Sequence, residues 1–190
     1  VTVGVLALQG AFAAHIEKLQ GLGVKTQEVR TPSQLEAVDS LVMPGGESTT
    51  MSMLLESSEL FDPVSERLAD GMAVFGTCAG MILLADKVLD GRSDQRSFSR
   101  LAITVQRNGY GRQIDSFETS ITVDGLDDPA HAVFIRAPRI VEAGPGVEVL
   151  ATARDDAVLV RQGNAVAAAF HPELSEDDRI HRLFLESVAY

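Results

Sequence analysis

A chain of 190 residues with 45% apolar side chains suits a single domain, 1–190, that buries its core without disulfides or structural metal. Its net charge of −11 repels phosphate backbones and anionic lipid, which argues against nucleic-acid and membrane partners. One cysteine forms no internal disulfide, the apolar runs are too short to span a bilayer and no signal peptide is legible, so a cytoplasmic protein is expected.

In chain order, residues 3–8 read as a buried strand, and 12–22 carry helical spacing through Phe12, Ile16, Leu19 and Leu22. Residues 24–29 form a second strand. Thr31, Pro32 and Gln34 then mark a helix start, with Thr31 as N-cap. Residues 40–43 form a third strand that ends in PGGES, and helical signals follow to about Asp70. A fourth strand at 72–75 precedes a helix at 79–85. This β-α-β-α rhythm predicts a three-layer α/β fold, with a mostly parallel central sheet and helices on both faces.

The second half is strand-rich, at 101–107, 117–123, 132–135, 147–153, 157–161 and 165–170, which predicts an antiparallel extension. Ser175 is expected to cap a final helix, with Ile180, Leu183, Phe184 and Val188 on one face. The polar stretch 90–100 is the expected mobile loop.

Gly76-Thr77-Cys78-Ala79-Gly80 follows a strand and opens a helix. Small residues on either side of the cysteine permit a tight turn that projects it at the sheet's carboxyl edge, the geometry of a nucleophile elbow. The helix N-terminus favours the thiolate, and the Ala79 N–H is aimed to meet an oxyanion. A lone cysteine is also commonly just a small buried apolar residue.

His171-Pro172-Glu173 shifts that balance. Proline extends the residue before it, and alternate residues of an extended chain share a side, so Glu173 is placed to orient His171. His15 and His181 lie in helical patterns and read as ordinary surface or packing residues; neither they nor His131 have such a neighbour. In Pro44-Gly45-Gly46-Glu47-Ser48 two glycines let backbone N–H groups approach a ligand, and Gly45–Gly46 is the candidate second oxyanion donor. A plain turn capped by Ser48 or Thr49 is the alternative. Arg107, Arg136 and Arg139 are candidates for holding a carboxylate. No ligand spacing for a metal is present.

These segments resemble class I glutamine amidotransferases. More particularly, they resemble the family of glutaminase subunits of pyridoxal 5′-phosphate synthase. GVLALQG, PGGESTTM, GTCAG, RNGYGRQIDSFE, FIRAP and HPE carry the resemblance over nearly the whole chain. It implies a class I amidotransferase-like, flavodoxin-like fold and a glutaminase that needs no cofactor. It also implies a separate synthase (lyase) partner in a multi-subunit complex, to which ammonia passes for vitamin B6 biosynthesis. Cys78 matches the nucleophile, His171 the base and Glu173 its orienting acid. Gly46, Glu47, Ser48, Arg107, Ile135 and Arg136 match the glutamine contacts. The sequence departs from the family over residues 95–102.

Overall fold

The computed structural model describes residues 1–109 and 116–188. Apolar strands alternate with amphipathic helices through the first half: β1 (Thr2–Leu6), α1 (Phe12–Gly21), β2 (Lys25–Val29), α2 (Pro32–Glu36), β3 (Ser40–Met43), α3 (Ser48–Ser57), α4 (Phe61–Ala69), β4 (Ala73–Thr77) and α5 (Ala79–Leu84). The expected capping is present, since the Thr31 side chain accepts from the Gln34 N–H at the start of α2. The second half supplies β5 (Ala85–Val88), β6 (Leu101–Gln106), β7 (Ser116–Ile121), β8 (Ala130–Ile135), β9 (Arg139–Ala143), β10 (Glu148–Ala153), β11 (Asp156–Gln162) and β12 (Ala165–Ala168). A 3-10 turn (Pro172–Leu174) and α6 (Arg179–Glu186) follow.

The main sheet runs β10-β11-β12-β4-β3-β1-β2. Pairing is parallel from β2 to β12 and antiparallel at β11 and β10. The parallel body with an antiparallel extension is the predicted arrangement, but of the six strands assigned to the extension only β10, β11 and β12 join this sheet; β6 lies in a separate sheet, and β7 and β8 pair with each other in another. Parallel strands must be covered on both faces, and β3, β4 and β12 are buried along their whole length. Side chains of β4 sort the helices. Phe75 and Thr77 point to one face, where Phe75 packs on Phe184 of α6 and Thr77 bonds His15 of α1. Gly76 faces the other way, where a Cβ would lie 2.7 Å from the Gly80 carbonyl and the Leu84 side chain of α5.

Four further expectations need correction. The strands β5 and β9 were not foreseen; β5 pairs with β6, and β6 with β9, in a second small sheet. The last helix begins at Arg179, with Asp178 at its N-cap position. The Ser175 hydroxyl instead accepts from the Asp177 N–H, two residues along its own loop. Residues 90–100 are anchored in their second half. Phe98 stacks on Phe61 at 4.4 Å, and the Phe98 and Arg100 N–H groups bond the Leu83 and Leu84 carbonyls. Finally, His15 and His181 are fully buried, which leaves packing and removes the surface half of that reading.

Candidate active site

The loops after β3, β4 and β12 lie side by side at the carboxyl edge of the sheet, because those strands are direct neighbours. Ligands of open α/β sheets bind at this edge. Cys78 follows β4 with φ +51 and ψ −106, a backbone conformation rarely adopted by a residue with a side chain. Its N–H donates to the Ala168 carbonyl at 2.9 Å, which ties the turn to β12. Glycine behind it makes the turn possible: a Cβ on Gly80 would lie 2.0 Å from the Met43 carbonyl oxygen.

His171 comes from the β12 end. Its Nδ1 meets Glu173 Oε1 at 2.7 Å, and the two side chains are 11% and 0% exposed. Proline between them starts the 3-10 turn, so both residues fall inside one tight bend rather than along an extended strand. The His171 N–H is anchored on the Val133 carbonyl of β8 at 2.8 Å. Gly45 closes the third side. A Cβ built on it would lie 2.6 Å from His171 Cε1 and 3.4 Å from Cys78 Cβ.

Burial opposes a charged His171 ring, but its interactions with the Cys78 and Glu173 side chains outweigh burial and raise its pKa to about 10. Burial alone would raise Glu173, yet the hydrogen bond from His171 and the charge of that ring hold it below the usual carboxylate range. The arrangement therefore favours a protonated imidazole between the two side chains.

The PGGES loop differs from the expected turn in one respect. Glu47, not Ser48 or Thr49, caps α3, accepting from the Thr49 and Thr50 N–H groups at 3.1 and 2.7 Å. Partial burial opposes ionisation of Glu47, but hydrogen bonds from Thr50 and Thr49 hold its pKa down at about 2. Arg107 pairs with Glu47 Oε1 at 2.9 Å, so these two candidates come together. Ser48 is buried, and its hydroxyl has no hydrogen-bond partner among the described residues. The Gly45 carbonyl accepts from the Ala11 N–H at 3.3 Å. In a trans peptide the Gly46 N–H then points the opposite way.

Ile135 ends β8 with its side chain partly exposed, and Arg136 follows at φ +45. Arg139 starts β9 and pairs with Asp156 at 2.9 Å, so it is committed elsewhere. In the RNGYGRQIDSFE segment, residues 110–115 lie outside the described residues. No group of three or more potential metal ligands gathers among the described residues.

Two residues were missed by sequence reasoning. His15 Nε2 lies 3.4 Å from Glu173 Oε2 and 3.1 Å from Thr77 Oγ1, and its Nδ1 lies 2.9 Å from His181 Nε2. The available signal was spacing: Phe12, His15 and Leu19 share one stripe of α1, and His181 and Phe184 share one of α6.

Solved structures put this architecture among the class I glutamine amidotransferases. A crystal structure described as a glutamine amidotransferase superposes with a TM-score of 0.92 at 49% identity, covering 98% of each chain. A glutamine amidotransferase from Thermotoga maritima, at 16% identity and TM-score 0.63, shares the fold over 98% of this chain and 81% of its own. The chain belongs to the SNO glutamine amidotransferase family, which matches residues 5–190. Among curated relatives, a Corynebacterium jeikeium protein is 55% identical over 98% of this chain and 96% of its own length. One from Herpetosiphon aurantiacus is 53% identical over 97% and 99%. Both relatives are named pyridoxal 5'-phosphate synthase subunit PdxT. No helix among the described residues is long and apolar enough to cross a membrane.

Proposed function

We propose that this chain hydrolyses L-glutamine to L-glutamate and ammonia in the cytoplasm, and delivers the ammonia to a separate synthase subunit that makes pyridoxal 5′-phosphate. The observation that carries this is Cys78 at positive φ on the N-terminus of α5, beside the buried His171–Glu173 pair. The names of the relatives supply the product and the partner class.

In this reading Cys78 Sγ attacks the side-chain amide carbon of glutamine. The oxyanion is held by the N–H groups of Ala79 and of the Gly45–Gly46 loop. Protonated His171 gives its proton to the leaving nitrogen, the C–N bond breaks, and ammonia departs from a glutamyl thioester. His171 then takes a proton from water as it attacks the thioester carbon. The C–S bond breaks and glutamate leaves. Glu173 holds the His171 ring in orientation and stabilises its charged form. The paired Arg107 and Glu47 offer opposite charges to the carboxylate and ammonium of a free amino acid, with Gly46, Ser48, Ile135 and Arg136 completing the pocket.

The Gly45–Gly46 peptide is held by a long Ala11 contact and rests beside Gln9, whose Oε1 accepts from the Glu47 N–H at 3.0 Å. A partner docking on this edge can fix the peptide, and one missing oxyanion donor costs about 10²–10³ in rate. Glutamate release is therefore expected to be slow for the chain alone and to rise strongly with a pyridoxal 5′-phosphate synthase partner. Cys78→Ala should bind that partner yet release no glutamate. Equal release by Cys78→Ala and wild type would end the proposal.

A further inference from the structure

The triad reading uses one oxygen of Glu173. The other, Oε2, is buried and has no hydrogen bond within ordinary distance among the described residues. A bare carboxylate oxygen in the interior is costly. His15 Nε2 stands 3.4 Å away, with both side chains fully buried. We propose that His15 is a positioning residue: its Nε2–H, set by His181 and shared with Thr77, points at Glu173 Oε2 and fixes the carboxylate whose Oε1 holds His171. This rests on the reading of Glu173 as the orienting acid.

The proton assignment follows from what each ring nitrogen meets. His181 Nδ1 is buried without a partner. A bare lone pair is tolerated there better than an unpaired N–H, so the His181 proton belongs on Nε2. That Nε2–H donates to His15 Nδ1 at 2.9 Å. His15 must then carry its own proton on Nε2, facing Thr77 Oγ1 and Glu173 Oε2. Both rings are neutral. Burial and the nearby His171 charge lower His15 to about 4 against the pull of Glu173. Burial, His15 and Lys18 lower His181 to about 3 against Glu173 and Asp178. A neutral donor steadies the carboxylate without cancelling its charge, which leaves that charge available to the His171 imidazolium.

The fold explains why this line is built in. Glu173 sits in the turn after β12, Thr77 ends β4, and α1 and α6 cover the same sheet face, so three elements converge behind the acid. His171 is already tied to β8 through its N–H on the Val133 carbonyl, whereas Glu173 Oε1 bonds the neighbouring ring of its own turn. Anchoring Oε2 from α1 ties that turn to the sheet.

The test is glutamine hydrolysis by the full chain in complex with its synthase partner, for wild type, His15→Phe and His15→Gln. His15→Phe fills the space without a donor; His15→Gln keeps one. Expected for His15→Phe is a kcat loss of about 10–100-fold, by analogy with the loss of groups that orient metal-bound side chains. KM for glutamine should change little, and the alkaline limb of the pH–rate profile should move to lower pH as His171 loses its fixed acid. His15→Gln should recover part of kcat and restore the limb. Unchanged kcat and limb in His15→Phe would overturn the inference, as would equal damage in both variants with KM and thermal stability falling together. If His15→Phe does not fold, imidazole ¹⁵N spectra of wild type decide: a neutral His15 protonated on Nε2 is expected, and a charged ring or the other tautomer overturns the inference. Glu173→Gln separates the two levels. Normal activity in that variant sinks the triad reading itself, whereas an impaired Glu173→Gln beside a normal His15→Phe sinks only the role of His15.

Discussion

At the scale of single residues, the site rests on two groups in contact with shifted pKa values, His171 and Glu173. His171 is held protonated because Cys78 and Glu173 both favour its charge. Removing the Glu173 charge should withdraw part of that support. Glu173→Gln keeps the size of the side chain, so it should lower kcat well before it weakens glutamine binding. The orienting acid of a serine triad is worth about 10⁴ in rate, and less is expected here because a thiolate needs less activation. Steady-state kinetics across pH check this, and an unaltered profile with unaltered turnover would remove Glu173 from the mechanism. Cys78, His171 and Glu173 were legible in the sequence because each stands in a short motif whose backbone consequence is local. His15 and His181 were not. Their neighbours are distant in sequence, and nothing in a helical stripe says that the facing surface holds a carboxylate.

At the scale of elements, short loops at the strand ends interlock. Gly10 has φ +85, and a Cβ there would lie 1.7 Å from the Gly45 carbonyl oxygen, which is backbone and cannot swing aside. Gly10→Ala should therefore push the Gly45–Gly46 peptide. Overpacking of this kind costs about 1–3 kcal/mol, and glutaminase activity with the partner present should fall more than stability does. Denaturant unfolding set beside activity measures the two effects, and full activity in Gly10→Ala would show that the peptide is not part of the oxyanion site. The parallel strands were readable because burial on both faces makes them continuous apolar runs, as in SLVM and AVFGT. The strands β5 and β9 escaped notice because ADKV and RIVEA carry charges on exposed positions. Their pairing partners, β5 with β6 and β6 with β9, are set by tertiary contacts. The start of α6 was misplaced for a related reason: Ser175 satisfies its own turn, a choice local sequence leaves open.

At the scale of the molecule, three buried histidines pull stability in opposite directions. His15 and His181 titrate near 4 and 3 in the folded chain, both lowered chiefly by burial. Below about pH 6.5 the unfolded chain takes up protons that these folded rings refuse. Stability should therefore fall with acid, approaching about 1.4 kcal/mol per pH unit for each histidine. His171 is raised to about 10, so the stability it contributes is complete below its unfolded pKa and is lost as pH climbs through 10. Urea midpoints should thus be highest near neutrality and lower on both sides. A midpoint flat between about pH 5 and 7 would contradict the burial of two neutral rings.

In the proposed reaction Cys78 attacks glutamine and carries the glutamyl group. The most direct measurement is intact mass after rapid acid quench of the chain turning over glutamine with its synthase partner. Expected is a covalent glutamyl adduct on wild type, mapped by peptide analysis to Cys78 and absent from Cys78→Ala. Active turnover with the adduct on another residue, or glutamate release by Cys78→Ala at the wild-type rate, would contradict it.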